Sequence, residues 1–205
     1  MSSDRLPQSF FEQNARIVAQ QLLGKVLVHS IEDEVLAGTI VETEAYCDFC
    51  LPDLACHGSR NKGRPTRRTE VMFGPAGFSY VYLNYGIHSL FNIVTGRDGI
   101  ASAVLIRALE PVSGLKTMAR QRVGRTPKEW TNGPGKLSQA MRIDQSANKQ
   151  NLCEEKSVIW VEAAPNMPLD ACSSGPRVGL GKTPEPWFSM PWRFWIKNNQ
   201  YVSKR

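Results

Sequence analysis

No stretch limits what this chain can fold into more than the run from Val35 to Tyr46. Ile40, Val41 and Thr43 are β-formers, and strand side chains alternate faces. Glu42, Glu44 and Tyr46 therefore share one face, while Val41, Thr43 and Ala45 share the other. Two acids and an aromatic on one side of a strand fit either a solvated face or a site, and one strand does not decide between them. Lys25 to Ser30 is a second β-rich run, and the acidic turn Glu32-Asp33-Glu34 between the two predicts a hairpin.

The chain has 205 residues, of which 41% are hydrophobic and 21% charged, enough for one sizeable core and unlike a disordered composition. A tail over residues 1–9 and a single domain over residues 10–205 are expected. Lys and Arg number 25 against 19 Asp and Glu, a net charge of +6. That suits a polyanionic partner and suits mere solubility as well. No apolar run approaches the ~20 residues of a membrane span, and Met1 to Gln8 lacks the apolar segment of a secretion signal. A soluble intracellular protein with no membrane partner is the expectation. Five cysteines leave one over in any pairing, which favours reduced thiols.

Ala15, Val18, Ala19 and Leu22 recur at helical spacing and predict a helix over 14–23, with Gly24 to end it. Residues 47–69 hold Pro52, Gly58, Gly63 and Pro65 with no sustained period, which predicts a long ordered loop. Arg60, Lys62, Arg64, Arg67 and Arg68 crowd into it, a density suited to phosphate contacts or to a solvated face. Phe78 to Leu83 and Leu90 to Val94 are two β-rich runs joined through Asn84 and Gly86, so Tyr85 falls at a hairpin tip. An exposed aromatic there suits stacking on a base or insertion into a duplex, unless it folds back on the core.

Ala103 to Ala108 reads as a strand, and Pro111 is expected to open a helix whose Leu115, Met118 and Ala119 share a face. Gly133-Pro134-Gly135-Lys136 precedes Leu137, Ala140 and Met141, which brings backbone N–H groups at a helix start beside a lysine. Gly135 and Lys136 are therefore candidate phosphate contacts. Residues 157–163, 177–181 and 192–197 read as extended, and residues 166–175 as a surface loop. Trp187, Trp192 and Trp195 suit a C-terminal core better than a stacking platform.

The strings VETEAY, ACHGSR, PTRRTEVMF, YVYLNYG, FNIVTG, LIRALEP, GPGKLSQAM and PWRFWI occur in this order. With them the chain resembles the alkyladenine (3-methyladenine) DNA glycosylase family from about Phe10 to Val202. The resemblance implies a mixed α/β (α+β) single compact domain around an antiparallel sheet, with the Tyr80 to Val94 hairpin projecting toward DNA. It implies no cofactor, and a partner that is double-stranded DNA containing damaged purines, bound by a monomer. The setting would be the nucleus in a eukaryote, the cytoplasm or nucleoid in a bacterium. Implied substrates are 3-methyladenine, 7-methylguanine, hypoxanthine and ethenoadenine.

Position by position, the resemblance makes Glu44 the carboxylate that activates water and Arg107 a neighbour of that water. It makes Tyr46, His57 and Tyr82 walls of a pocket for the flipped base, Asn92 the residue that crowds the amino group of guanine, and Tyr85 the wedge. Glu42 has no catalytic counterpart and is expected only to support the strand. Asn84 and Ser89 depart from the bulkier residues the pattern carries near the hairpin. Such chemistry is consistent with the residue types, because a stacked base must be extruded before it is attacked and a carboxylate can both steady an oxocarbenium-like sugar and deprotonate water.

Cys47, Cys50, Cys56 and His57 have the residue types of a zinc site. Since the resemblance needs His57 in the pocket, no metal is expected. Two other function classes fit some of the residues. A non-catalytic nucleic-acid-binding module would use the basic loop and the aromatic tip. A carbohydrate-directed glycosidase would pair Glu42 with Glu44, although same-face neighbours ~7 Å apart match neither common carboxylate spacing.

Overall fold

In the computed structural model, residues 4–47 and 52–203 are described. Eight strands form one antiparallel sheet among them: β1 (Val26–Ile31), β2 (Glu34–Cys47), β3 (Ser79–Asn84), β4 (His88–Val94), β5 (Ser102–Ser113), β6 (Ile159–Glu162), β7 (Cys172–Gly175) and β8 (Arg193–Ile196). The order is β3-β4-β5-β2-β1-β6, with β8 also pairing β2 and β7 pairing β8. The sheet is thus built around β2. One of its edges pairs with β5 along nearly its whole length, while the other pairs with β1 in its first half and with β8 at Glu42 to Glu44.

Register shifts on β2 fall at Ala37/Gly38 and on both sides of Glu42. A β-carbon at Gly38 would lie 2.9 Å from Leu109 Cβ, so only glycine lets the strands approach there. Pro111, expected to open a helix, instead lies within β5, opposite Gly38 at that irregularity. A proline lacks the N–H that an undisturbed ladder needs, and a bulge relieves it of that requirement. The helix it was expected to start begins later, at α4 (Leu115–Gln121), after Gly114 in a left-handed conformation.

The predicted N-terminal helix is α2 (Ala15–Gln21), preceded by one turn, α1 (Gln8–Phe11). Asn14 caps it by accepting the Arg16 N–H at 2.9 Å. Val18 and Leu22 are fully buried, each stabilising the fold by about 1.5–3 kcal/mol, and the Thr43 hydroxyl donates to the Ala19 carbonyl at 2.7 Å. This packing covers one face of the sheet, where Ala45, Val81, Phe91, Ile93, Val104 and Ile106 join the main core.

Two predictions near the C-terminus need correction. Residues 166–175, read as a surface loop, include β7, and residues 177–181, read as extended, form no strand. The Ser- and Gly-containing β7 has little strand propensity of its own and is extended because β8 pairs with it.

Candidate active site

Cross-strand partners share a face of a sheet. The register pairs Glu44 with Leu105, Leu105 with Asn92, and Asn92 with Tyr80, so these four stand side by side across β2, β5, β4 and β3. The row lies on the face opposite α2, and Leu105, Asn92 and Tyr80 line a cavity of about 550 Å³. Tyr46, His57, Tyr82, Arg107, Arg60 and Arg68 line it as well. Every predicted pocket residue is thus brought to one place, although His57 comes from a loop and Tyr82 from the hairpin.

Much of the wall is aromatic, with the guanidiniums of Arg60, Arg68 and Arg107 also on it. Tyr80 and Tyr82 lie 5.3 Å apart between ring centroids, and His57 meets Tyr82 edge-on at 4.6 Å. His57 Nδ1 lies 2.9 Å from the Tyr80 hydroxyl. Burial, with Arg68 and Arg60 nearby, holds the His57 imidazole down to about 4, so it is uncharged near pH 7. Buried Asn92 donates its amide to the carbonyls of Tyr80 and Leu90 at 3.0 and 3.3 Å, which fixes its rotamer.

Glu44 is fully buried beneath the cavity floor. Its Oε2 accepts the Tyr46 hydroxyl at 2.7 Å, its Oε1 accepts the Val178 N–H at 2.6 Å, and an Arg107 guanidinium nitrogen lies 3.2 Å from Oε1. Burial and the Glu44 charge push the Tyr46 phenol well up, so it stays a donor. Arg107 also donates Nε–H to Glu42 Oε1 at 2.8 Å and bonds the Ser203 hydroxyl at 3.1 Å. Burial works against its charge, and Glu44 and Glu42 outweigh it.

Glu42 turns out to be more than a strand residue. Its Oε1 accepts Arg107, Arg193 at 2.5 Å and the Ser203 hydroxyl at 2.9 Å, while Oε2 accepts the Ser203 N–H at 2.7 Å. Burial opposes its charge, but Arg107, the Ser203 N–H and Arg193 together hold its carboxyl below the usual range. A second buried ion pair lies behind Tyr46. Arg177 bonds Asp53 through two nitrogens, at 2.6 and 2.9 Å, and donates to the Ala45 carbonyl at 3.0 Å. Its guanidinium sits 4.7 Å from the Tyr46 ring and 5.0 Å from the Trp192 ring, within cation–π range of both. Sequence reasoning missed Asp53, Arg177 and Arg193, because nothing in their local sequence distinguishes a buried charge from a surface one.

The basic loop divides. Arg60 and Arg68 line the cavity, with Arg68 4.8 Å from the Tyr82 ring, whereas Lys62, Arg64 and Arg67 are exposed away from it. Arg60 to Lys62 fall in a single helical turn, α3 (Arg60–Gly63), in which Asn61 and Lys62 take positive φ. Two further short helices, α5 (Pro127–Trp130) and α6 (Pro134–Ala140), lead to the other candidate contacts. Lys136 is exposed and reaches Asn132 Oδ1 at 2.8 Å. Gly135 lies against His88, where a β-carbon would come within 3.1 Å of His88 Cβ, so this glycine lets α6 approach β4.

The hairpin tip is Asn84 to Ile87, closed by the Ile87 N–H to the Asn84 carbonyl. Tyr85 and Gly86 both have positive φ (51° and 73°), as in a type I′ turn. Tyrosine in that conformation is disfavoured by about 1–2 kcal/mol. Its side chain does not fold back, being 88% exposed, with Ile87 72% exposed beside it. Stability does not account for a strained, solvated aromatic at a tip.

Cys47 and Cys56 are buried, and Cys50 lies outside the described residues. Among the described residues no three of His, Cys, Asp and Glu come together as a metal would require. Nor is any described helix long and apolar enough to cross a membrane.

Comparison with known proteins bears on the same residues. Residues 9–200 match the model of the family described as methylpurine-DNA glycosylase. A protein of Legionella pneumophila (strain Corby) is 45% identical over 201 residues, covering 98% of each chain. One of Myxococcus xanthus (strain DK1622) is 42% identical over 199 residues, 97% of this chain and 93% of the relative. One of Alkaliphilus oremlandii (strain OhILAs) is 41% identical over 209 residues, 98% of this chain and all of the relative. All three carry the name "Putative 3-methyladenine DNA glycosylase".

Proposed function

We propose a function for this chain from the fact that it belongs to the methylpurine-DNA glycosylase family: it is a DNA glycosylase of repair, a hydrolase that releases 3-methyladenine and related damaged purines from double-stranded DNA. The observation that carries the reading is the buried Glu44 carboxylate, held by Arg107 beneath a cavity walled by Tyr46, His57 and Tyr82. A cavity of about 550 Å³ falls within the usual range for small ligands. Aromatic walls suit a purine taken out of the stack, with the Arg60, Arg68 and Arg107 guanidiniums at the same cavity.

In this reading the damaged base enters between Tyr82 and Tyr46, and cationic lesions gain cation–π attraction on those rings. Water bound next to Glu44 gives up a proton to the carboxylate and attacks the sugar carbon as the C–N bond breaks. The base leaves with the bonding electron pair. Arg107 fixes the acid and stabilises its charge, while neutral His57 and Tyr80 line the base edge. Asn92, locked by its amide bonds, is assigned the role of crowding the exocyclic amino group of guanine. The exposed basic residues Lys62, Arg64, Arg67 and Lys136 contact phosphates, and the reaction asks for no cofactor. The protein works as a monomer inside the cell.

Tyr85 fills the gap that the flipped nucleotide leaves. Tyr85→Ala is expected to keep the fold and weaken the flipped state by ~1–3 kcal/mol, read as slower single-turnover excision and weaker binding to lesion DNA. Unchanged values of both would remove Tyr85 from the interface.

The function is tested by incubating the protein with a duplex containing one ethenoadenine or hypoxanthine and cleaving the product with alkali. A strand break at the lesion is expected, and none in undamaged duplex. Tight lesion binding without any break would favour a binding module instead.

A further inference from the structure

We infer that Glu42 and Arg193 are positioning residues that hold Arg107 and set the charge balance felt by Glu44, an inference that rests on Glu44 being the base in the reading above. Four charged side chains are packed together here, two carboxylates and two guanidiniums, and all four are buried: Glu42, Glu44, Arg107 and Arg193. Their formal charges cancel. Arg107 is the bridge, with Nε 2.8 Å from Glu42 Oε1 and a terminal nitrogen 3.2 Å from Glu44 Oε1. A guanidinium is planar, so fixing its Nε fixes where its terminal nitrogens point. Glu42 thereby aims the nitrogen that meets Glu44.

Support for the strand does not explain a carboxylate at position 42. Burying one is costly by several kcal/mol unless it is paired, and a threonine or valine would hold the strand without that penalty. Glu42 instead collects four contacts from three parts of the chain: Arg107 on β5, Arg193 on β8, and the N–H and hydroxyl of Ser203 near the C-terminus. Arg193 in turn donates to the Ser203 carbonyl at 3.2 Å.

The polar groups around Glu44 are few. On its own strand they are Glu42 and Tyr46, on β5 Arg107, on β8 Arg193, on β3 Tyr82, and after β7 Arg177 with the Val178 N–H. Removing the negative charge at position 42 leaves a surplus positive charge beside Glu44, which favours its ionised form. Removing the positive charge at position 193 does the opposite. Replacing both restores the balance.

The test is the single-turnover excision rate against pH, on a duplex with one hypoxanthine, for the wild type, Glu42→Gln, Arg193→Gln and the double variant. The rate of the wild type should rise through an acidic limb, because a carboxylate base works only in its charged form. In Glu42→Gln the limb should move down by about one pH unit or more, in Arg193→Gln up by a similar amount, and in the double variant back toward the wild type. A merely structural role would not give shifts of opposite sign. Coincident limbs, or shifts of the same sign, overturn the inference. If Glu42→Gln does not fold, Arg193→Lys carries the test: it keeps the charge and should leave the limb near the wild type, and a shift as large as that of Arg193→Gln overturns the inference. A wild type without an acidic limb, or one that Glu44→Gln retains, would instead withdraw the base itself.

Discussion

Glu44→Gln is expected to lower single-turnover base excision by ~10²–10⁴-fold or more while leaving binding to lesion DNA nearly unchanged. Glutamine keeps the shape of the side chain, so its amide oxygen can still accept the Val178 N–H, and its NH2 can face the Tyr46 hydroxyl, which can turn to accept. It cannot take a proton from water or oppose the positive charge that develops on the sugar. Glu42→Gln is expected to be much milder in maximal rate, because Glu42 touches Arg107 rather than the cavity. Parallel single-turnover time courses and binding titrations on a duplex with one lesion decide this. Equal loss in the two variants would mean that the carboxylates act as a pair. Full activity in both would leave the site without its base.

Arg177→Ala should destabilise the fold by about 3–5 kcal/mol, a fall of roughly 10 °C in Tm. The pair it forms with Asp53 is buried on both sides, so truncation leaves a carboxylate in the interior with no cation. It also removes the support behind Tyr46 and the tie between the segment that leads to His57 and the segment that carries Val178. Asp53→Leu combined with Arg177→Met should recover much of the lost stability, since an apolar pair replaces the ion pair without leaving a lone charge. Excision should not recover with it, because Tyr46 is no longer fixed. Thermal denaturation of the two variants beside the wild type measures the first effect. A change in Tm of less than about 2 °C for Arg177→Ala would mean that the pair is not desolvated.

Local pattern carried much of this fold, and residue partnership carried the rest. The β-formers around Glu44, the acidic turn at Glu32-Asp33-Glu34 and the apolar spacing of Ala15, Val18, Ala19 and Leu22 were enough to predict β1, β2 and α2. The hairpin was legible from Asn84 and Gly86, whereas the exposure of Tyr85 was left open and came from the structure. Pro111 misled because its place in β5 depends on a bulge set by Gly38, more than 70 residues earlier. The short β7 was invisible because its partner β8 supplies the reason for it to be extended.

The candidate site divides in the same way. Glu44 and Tyr46 were legible as neighbours on one strand face, whereas Asn92, His57 and Arg107 came together only through the resemblance. Glu42 was underestimated, and Arg193, Asp53 and Arg177 were missed. Each owes its role to a charged partner distant in sequence, and no periodicity encodes that. Arg60 and Arg68, grouped with the phosphate contacts, also line the cavity, Arg68 beside the Tyr82 ring.

In the proposed reaction Glu44 directs water, and no protein amine, at the sugar. The most direct measurement is a product analysis on a duplex with one hypoxanthine, run with and without borohydride. Free hypoxanthine, a strand that stays intact until alkali is added, and no covalent protein–DNA adduct are expected. A strand cut by the protein alone, or an adduct trapped by borohydride, would contradict it.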